Sequence, residues 1–135
     1  MGILSKLFGT KSEESFQEME SDLIKFQKKI NAEMIAIFGT GGRLKGLPLI
    51  YATSDDNDLK KISARLNELL KPVNNLSDNR AFRDLIINFE DSTLFFKQIL
   101  TNIGYFAIIQ NTNSILPLKQ WFYKRESKLK ELLHD

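Results

Sequence analysis

A chain of 135 residues with 42% hydrophobic side chains is long enough for one ordinary globular domain and too short for two comfortable ones. Its 19 basic and 17 acidic side chains leave a formal charge of +2, too weak a field to point to nucleic acid. The absence of cysteine removes disulfides, thiolate nucleophiles and cysteine metal sites together and suits a reducing compartment, so a cytoplasmic protein is expected.

The amino terminus reads MGILSKLF and places Ile3, Leu4, Leu7 and Phe8 on one side of two helical turns, beside Lys6 and near Lys11. It is too short for a secretory h-region, and nothing in the chain approaches the roughly 18 consecutive apolar residues of a membrane span. A short apolar face with basic flanks fits weak docking at a membrane surface, as in a peripheral membrane protein, or on a partner. Gly2 invites N-myristoylation, but Lys6 stands where that signal wants a hydroxyl. Residues 1–12 are therefore expected to be a flexible or amphipathic segment ahead of a single domain, 13–135.

That domain opens with Phe16, Met19, Leu23, Phe26 and Ile30, whose spacings of three and four predict an amphipathic helix over Ser15 to Asn31. Glu33 to Phe38 and Leu47 to Thr53 then read as strands joined by the glycine-rich GTGGRLKG, Gly39 to Gly46. A second helix is marked by Leu59, Ile62, Leu66, Leu69 and Val73, and ends near Pro72 and Asn74-Asn75. Arg83 to Phe89, Thr93 to Ile99 and Ile103 to Gln110 predict three more strands, separated by Glu90-Asp91-Ser92 and Thr101-Asn102. A last helix follows Asn113-Ser114, accommodates Pro117 in its first turn, buries Leu118, Phe122, Leu129 and Leu133, and is expected to run to the C-terminus.

The strands are apolar on both faces: Ile103, Tyr105, Ala107 and Ile109 alternate with Phe106 and Ile108, and Met34, Ala36 and Phe38 with Ile35 and Ile37. A sheet of that kind must be covered on both sides. The expected fold class is α+β: a three-layer helix-sheet-helix sandwich around a five-stranded, mainly antiparallel sheet, in the order α-β-β-α-β-β-β-α. The third strand carries no proline or bulge signal, so as an edge it would invite a partner strand.

Stretches that could carry chemistry have simpler structural explanations. Thr53, Ser54, Asp55, Asp56 and Asp58 offer oxygens to a metal, but Ser54 or Asp55 capping the second helix accounts for them, with Asp56 and Asp58 at its positive end. GTGGRLKG lacks the lysine-hydroxyl ending and following helix of a P-loop, and GTKS, Gly9 to Ser12, lacks the upstream glycine and strand. His134 is the only histidine, which excludes a Ser-His-Asp triad or a multi-histidine metal site within one chain. No catalytic residue, metal or cofactor is expected. Arg43 in the hairpin, and Trp121 and Tyr123, read as facing away from the last helix's stripe, are candidates for partner contact.

The order of elements and several local patterns resemble the Roadblock/dynein light chain family over about Phe16 to Leu133. The carriers are the apolar strand Glu33 to Phe38, GLPLIYAT, DLKKISARLNELLKPV, RDLIINFEDSTLFFKQI, and GYFAIIQN leading into the terminal helix. GTGGRLKG departs from the short aspartate-glycine turn of many relatives. The resemblance implies a profilin-like roadblock architecture and a homodimer or heterodimer formed by the central helix and third strand. It also implies a non-enzymatic scaffold or regulator of small Ras-like GTPases, some relatives serving as dynein subunits. On this chain the expected shared contacts are Ile62, Leu66 and Leu69 at the helix margin and Leu85, Ile87 and Phe89 along the strand. The alternative is a sensor domain, a PAS-like or profilin-like sandwich holding a small ligand between sheet and helix, in a pocket that the aromatic core is expected to fill.

Overall fold

The computed structural model describes residues 13–133. The amino-terminal segment with Ile3, Leu4, Leu7 and Phe8, the GTKS stretch and His134 lie outside the described residues. In chain order the elements are α1 (Glu13–Lys29), β1 (Met34–Gly39), β2 (Pro48–Thr53), α2 (Asp56–Asn74), β3 (Asp84–Asn88), β4 (Thr93–Leu100), β5 (Ile103–Ile109), α3 (Ile115–Lys124) and α4 (Glu126–Leu132). Single 3₁₀ turns at Gly42–Leu44 and Thr112–Ser114 precede β2 and α3. Among the described residues no helix is long and apolar enough to cross a membrane.

All five strands pair antiparallel in the spatial order β2-β1-β5-β4-β3. One face carries Ile35, Ile37, Phe95, Tyr105, Ala107 and Ile109, packed under Phe16, Met19, Leu23 and Phe26 of α1 and Leu118, Trp121, Phe122 and Leu129 of α3 and α4. The other carries Met34, Ala36, Phe38, Leu94, Phe96, Phe106 and Ile108, packed under Leu59, Leu66 and Leu70 of α2. Both alternating sets in β1 and β5 are therefore buried, and the α+β helix-sheet-helix sandwich follows from them.

Local chemistry sets the ends of the helices. After α1, Asn31 adopts φ 56°, a left-handed conformation that its short polar side chain tolerates. Ala32 N–H then donates to Gln27 O at 3.0 Å and Asn31 N–H to Lys28 O at 3.2 Å, the paired bonds of a Schellman ending. At α2 it is Asp55, not Ser54, that caps: its carboxylate accepts from Asp58 N–H at 3.1 Å, while Asp55 N–H donates to Thr53 Oγ1 at 3.2 Å. A cap of this kind contributes about 1 kcal/mol.

The C-terminal region corrects the expectation of one continuous helix, because the backbone leaves helical geometry at Arg125 (φ −108°, ψ 7°). No proline or glycine breaks it. Arg125 N–H closes the turn onto Phe122 O at 3.1 Å, its guanidinium donates to Trp121 O at 3.2 Å, and the same group lies 4.0 Å from the centre of the Trp121 ring. These contacts satisfy carbonyls that a straight helix would have used.

Candidate functional site

The acidic seam between β2 and α2 is where catalysis would have had to sit. Asp55 is occupied as the helix cap, Asp56 and Asp58 stand exposed in the first turn, and among the described residues no three His, Asp or Glu side chains converge on a common metal position. The nearby Tyr51 hydroxyl is held above its usual pKa by burial first, then by the charges of Asp56 and Glu20.

GTGGRLKG is not an open flexible loop. Gly39 N–H donates to Leu47 O and Gly46 N–H to Gly39 O, both at 2.9 Å, and between them Leu44 drops fully buried into the core. Thr40 N–H reaches Asn102 O at 2.8 Å and Gln98 Nε2 reaches Thr40 Oγ1 at 2.7 Å, tying this loop to the β4-β5 turn. Arg43 sits on its exposed side, where a partner could reach it.

The two aromatics chosen as partner contacts separate. Tyr123 is 79% exposed, as expected. Trp121 is 7% exposed, stacked on Phe26 at 5.5 Å and edge-on to Phe122 at 4.9 Å, which corrects its assignment to the outer face. The reason is helical geometry: Leu118, Trp121, Phe122 and Leu129 recur at spacings of three and four as well as seven, so Trp121 flanks the buried stripe. It is a core residue joining α3 to α1.

The remaining candidates surround the outer edge of the sheet. β2 and β3 are the two edge strands, but β2 begins at Pro48 and has a register irregularity against β1, whereas β3 has neither device. Leu85 and Ile87 of β3 and Ile62 of α2 are half-buried against the same cluster, so the central helix and the edge strand contribute to one face. At its margin Leu69 is 40% and Phe89 53% exposed. Leu66 differs from its companions: at 4% exposure it belongs to the core of its own sheet and does not reach the surface.

Sequence reasoning missed three contributors to this region. Ile86, on the opposite face of β3, is 49% exposed, Leu76 just beyond α2 is 82% exposed, and Phe82 stacks on Phe96 at 5.8 Å in front of β3. The signal for Ile86 was present, since Leu85-Ile86-Ile87 is apolar at every position and cannot bury both faces at an edge.

No protein-family model and no curated protein matches the sequence. Solved structures do match. MglB of Myxococcus xanthus superposes with a TM-score of 0.69 at 14% identity, over 91% of this chain and 96% of that one. The fold is the roadblock fold. An MglB described with a tetrameric arrangement gives 0.65 at 10% identity, covering 85% of this chain and 88% of that one. A Roadblock/LC7 domain from Streptomyces avermitilis gives 0.57 at 10%, covering 73% and 82%. Within this roadblock fold, the order α-β-β-α-β-β-β followed by C-terminal helix accounts for nearly the whole described chain.

Proposed function

We propose that this roadblock-fold protein is a non-enzymatic adaptor that pairs with a second roadblock domain, its own copy or a relative, and in that state binds a small Ras-like GTPase. The observation that carries the reading is the unpaired β3 edge with apolar side chains on both of its faces and the margin of α2 beside it. Strand-to-strand pairing across a two-fold axis would satisfy the N–H and C=O groups of β3 and cover Leu69, Ile86 and Phe89 in one step. The tetrameric description of one similar MglB supports self-association as a property compatible with this fold. The GTPase partner rests on the resemblance to the roadblock family, and Arg43 and Tyr123 are exposed residues available to it.

The test is capture from native lysate on immobilised full-length protein, in GDP and separately in a non-hydrolysable GTP analogue. A Ras-like GTPase enriched in at least one nucleotide state is the expected result. A folded, self-associated bait that enriches none in either state contradicts the GTPase half of the reading.

A further inference from the structure

Between the outer half of α3 and strands β4 and β5 lies a cleft of about 430 Å³, in the size range of small-molecule sites and distinct from the β3 edge. The core expected to fill the space between sheet and helix stops short of it. Its floor is apolar, built by Ile99 and by Phe122 stacked on Tyr105 at 3.7 Å with rings 7° from parallel.

The sheet register decides what surrounds that floor. Asp84, Lys97 and Tyr105 are direct cross-strand neighbours on β3, β4 and β5, so their side chains form one row on the face beneath α3. Lys119 of α3 takes up the Asp84 carboxylate at 3.6 Å. Lys97 and Lys124 also line the cleft, and neither has an ion pair among the described residues; the one carboxylate in the lining is Glu126. The row thus leaves unneutralised positive charge beside an apolar floor.

The Tyr105 hydroxyl lies sealed beneath that floor. Tyr105 is fully buried, and its hydroxyl oxygen has no hydrogen-bond partner in the protein. Burial, and then the Asp84 charge, push its pKa well above the usual range, so it remains a neutral O–H donor. Buried polar groups are ordinarily satisfied, and an orphaned one is costly to maintain.

We propose that this cleft binds a small organic anion: a flat apolar body lying against Ile99 over the Phe122–Tyr105 stack, and one acidic group held by Lys97 and Lys124. The charge selects an anion over a neutral or cationic ligand, and the narrow apolar floor selects a flat body over a bare phosphate. The site makes no use of Arg43 or of the apolar face shared by β3 and α2, and it meets the GTPase reading only at Tyr123, which lines the cleft.

The probe is 8-anilinonaphthalene-1-sulfonate, followed by its fluorescence on titration into full-length protein, beside its uncharged counterpart N-phenyl-1-naphthylamine. Saturable binding of one sulfonate per chain, about 10-fold tighter than the uncharged dye, is expected. Lys97→Gln with Lys124→Gln removes that preference, whereas Tyr105→Phe leaves the sulfonate affinity unchanged while melting at the same temperature as wild type or higher, because the orphaned hydroxyl is gone. Lys60→Gln, an exposed substitution on α2 across the sheet, leaves both dyes unaffected. Equal affinity for the two dyes, a preference that survives the double glutamine variant, or loss of binding in Lys60→Gln would overturn the assignment.

Discussion

Gly39→Ala is expected to destabilise the fold by about 3 kcal/mol, an overpacking effect at the upper end of the usual range. A Cβ at position 39 would stand 1.8 Å from Leu44 O and 2.3 Å from Leu44 C, backbone atoms that cannot swing aside as a side-chain end could. Relief requires the turn to move, but the turn is held by the Gly39–Leu47 and Gly46–Gly39 hydrogen bonds and anchored by the fully buried Leu44. Drawing Leu44 out of the core costs as much as the clash it relieves, since buried leucine truncations fall at about 2 to 5 kcal/mol. Urea unfolding followed by circular dichroism measures the change. A loss below about 1 kcal/mol would mean that the hairpin relaxes without disturbing Leu44.

Trp121→Ala is expected to cost about 3 to 5 kcal/mol, in contrast with Tyr123→Ala, which should stay within about 0.5 kcal/mol. The indole stacks on Phe26 of α1, meets Phe122 edge-on and carries the Arg125 guanidinium over its ring, so its removal opens a cavity between two helices and unseats the break between α3 and α4. Tyr123, two positions further along the chain, projects into solvent with 79% of its surface exposed. Denaturant midpoints of the two variants separate these environments; similar losses from both would contradict the burial of Trp121 and restore it as a surface contact.

The contrast shows what could be read from the sequence. The sandwich was legible because β1 and β5 are apolar at consecutive positions, and only a doubly covered sheet buries Ile35 and Ala36, or Tyr105 and Phe106, at once. The acidic seam was legible as a cap because capping is a local interaction, decided within three residues of Asp55. Trp121 was misplaced because the stripe was traced through Leu118, Phe122, Leu129 and Leu133 without the third-residue neighbour that shares its face. The helix break at Arg125 has no proline or glycine to announce it and depends on a side chain folding back onto its own helix. The role of Leu44 was hidden for a similar reason, a single apolar residue among glycines and cations that is buried only because the loop closes over it.

The interface proposed on β3 and α2 uses elements legible in the sequence, but the exposure of each side chain was not. Leu85, Ile87 and Phe89 follow from alternation, while the separation of Leu66, buried at 4%, from Leu69, exposed at 40%, depends on how α2 is rotated over the sheet. The cleft beside Tyr105 could not be read at all. It needs the register that aligns Asp84, Lys97 and Tyr105 across three strands and the stand-off of α3 above them, both of which are long-range.

The distinction between Leu66 and Leu69 defines the measurement on which the adaptor account turns. Leu66→Asp would put a charge into the core and unfold the protomer, so it reports nothing about association. Leu69→Asp and Phe89→Asp change side chains that are already partly solvated and leave the fold intact. Sedimentation velocity of the full-length protein at micromolar concentration, with circular dichroism on each sample, is expected to show a dimer or higher assembly for wild type and a folded monomer for the Leu69→Asp, Phe89→Asp double variant, a loss of at least 100-fold in association. A monomeric wild type, or an assembly that survives both aspartates unchanged, would contradict pairing through the β3 edge.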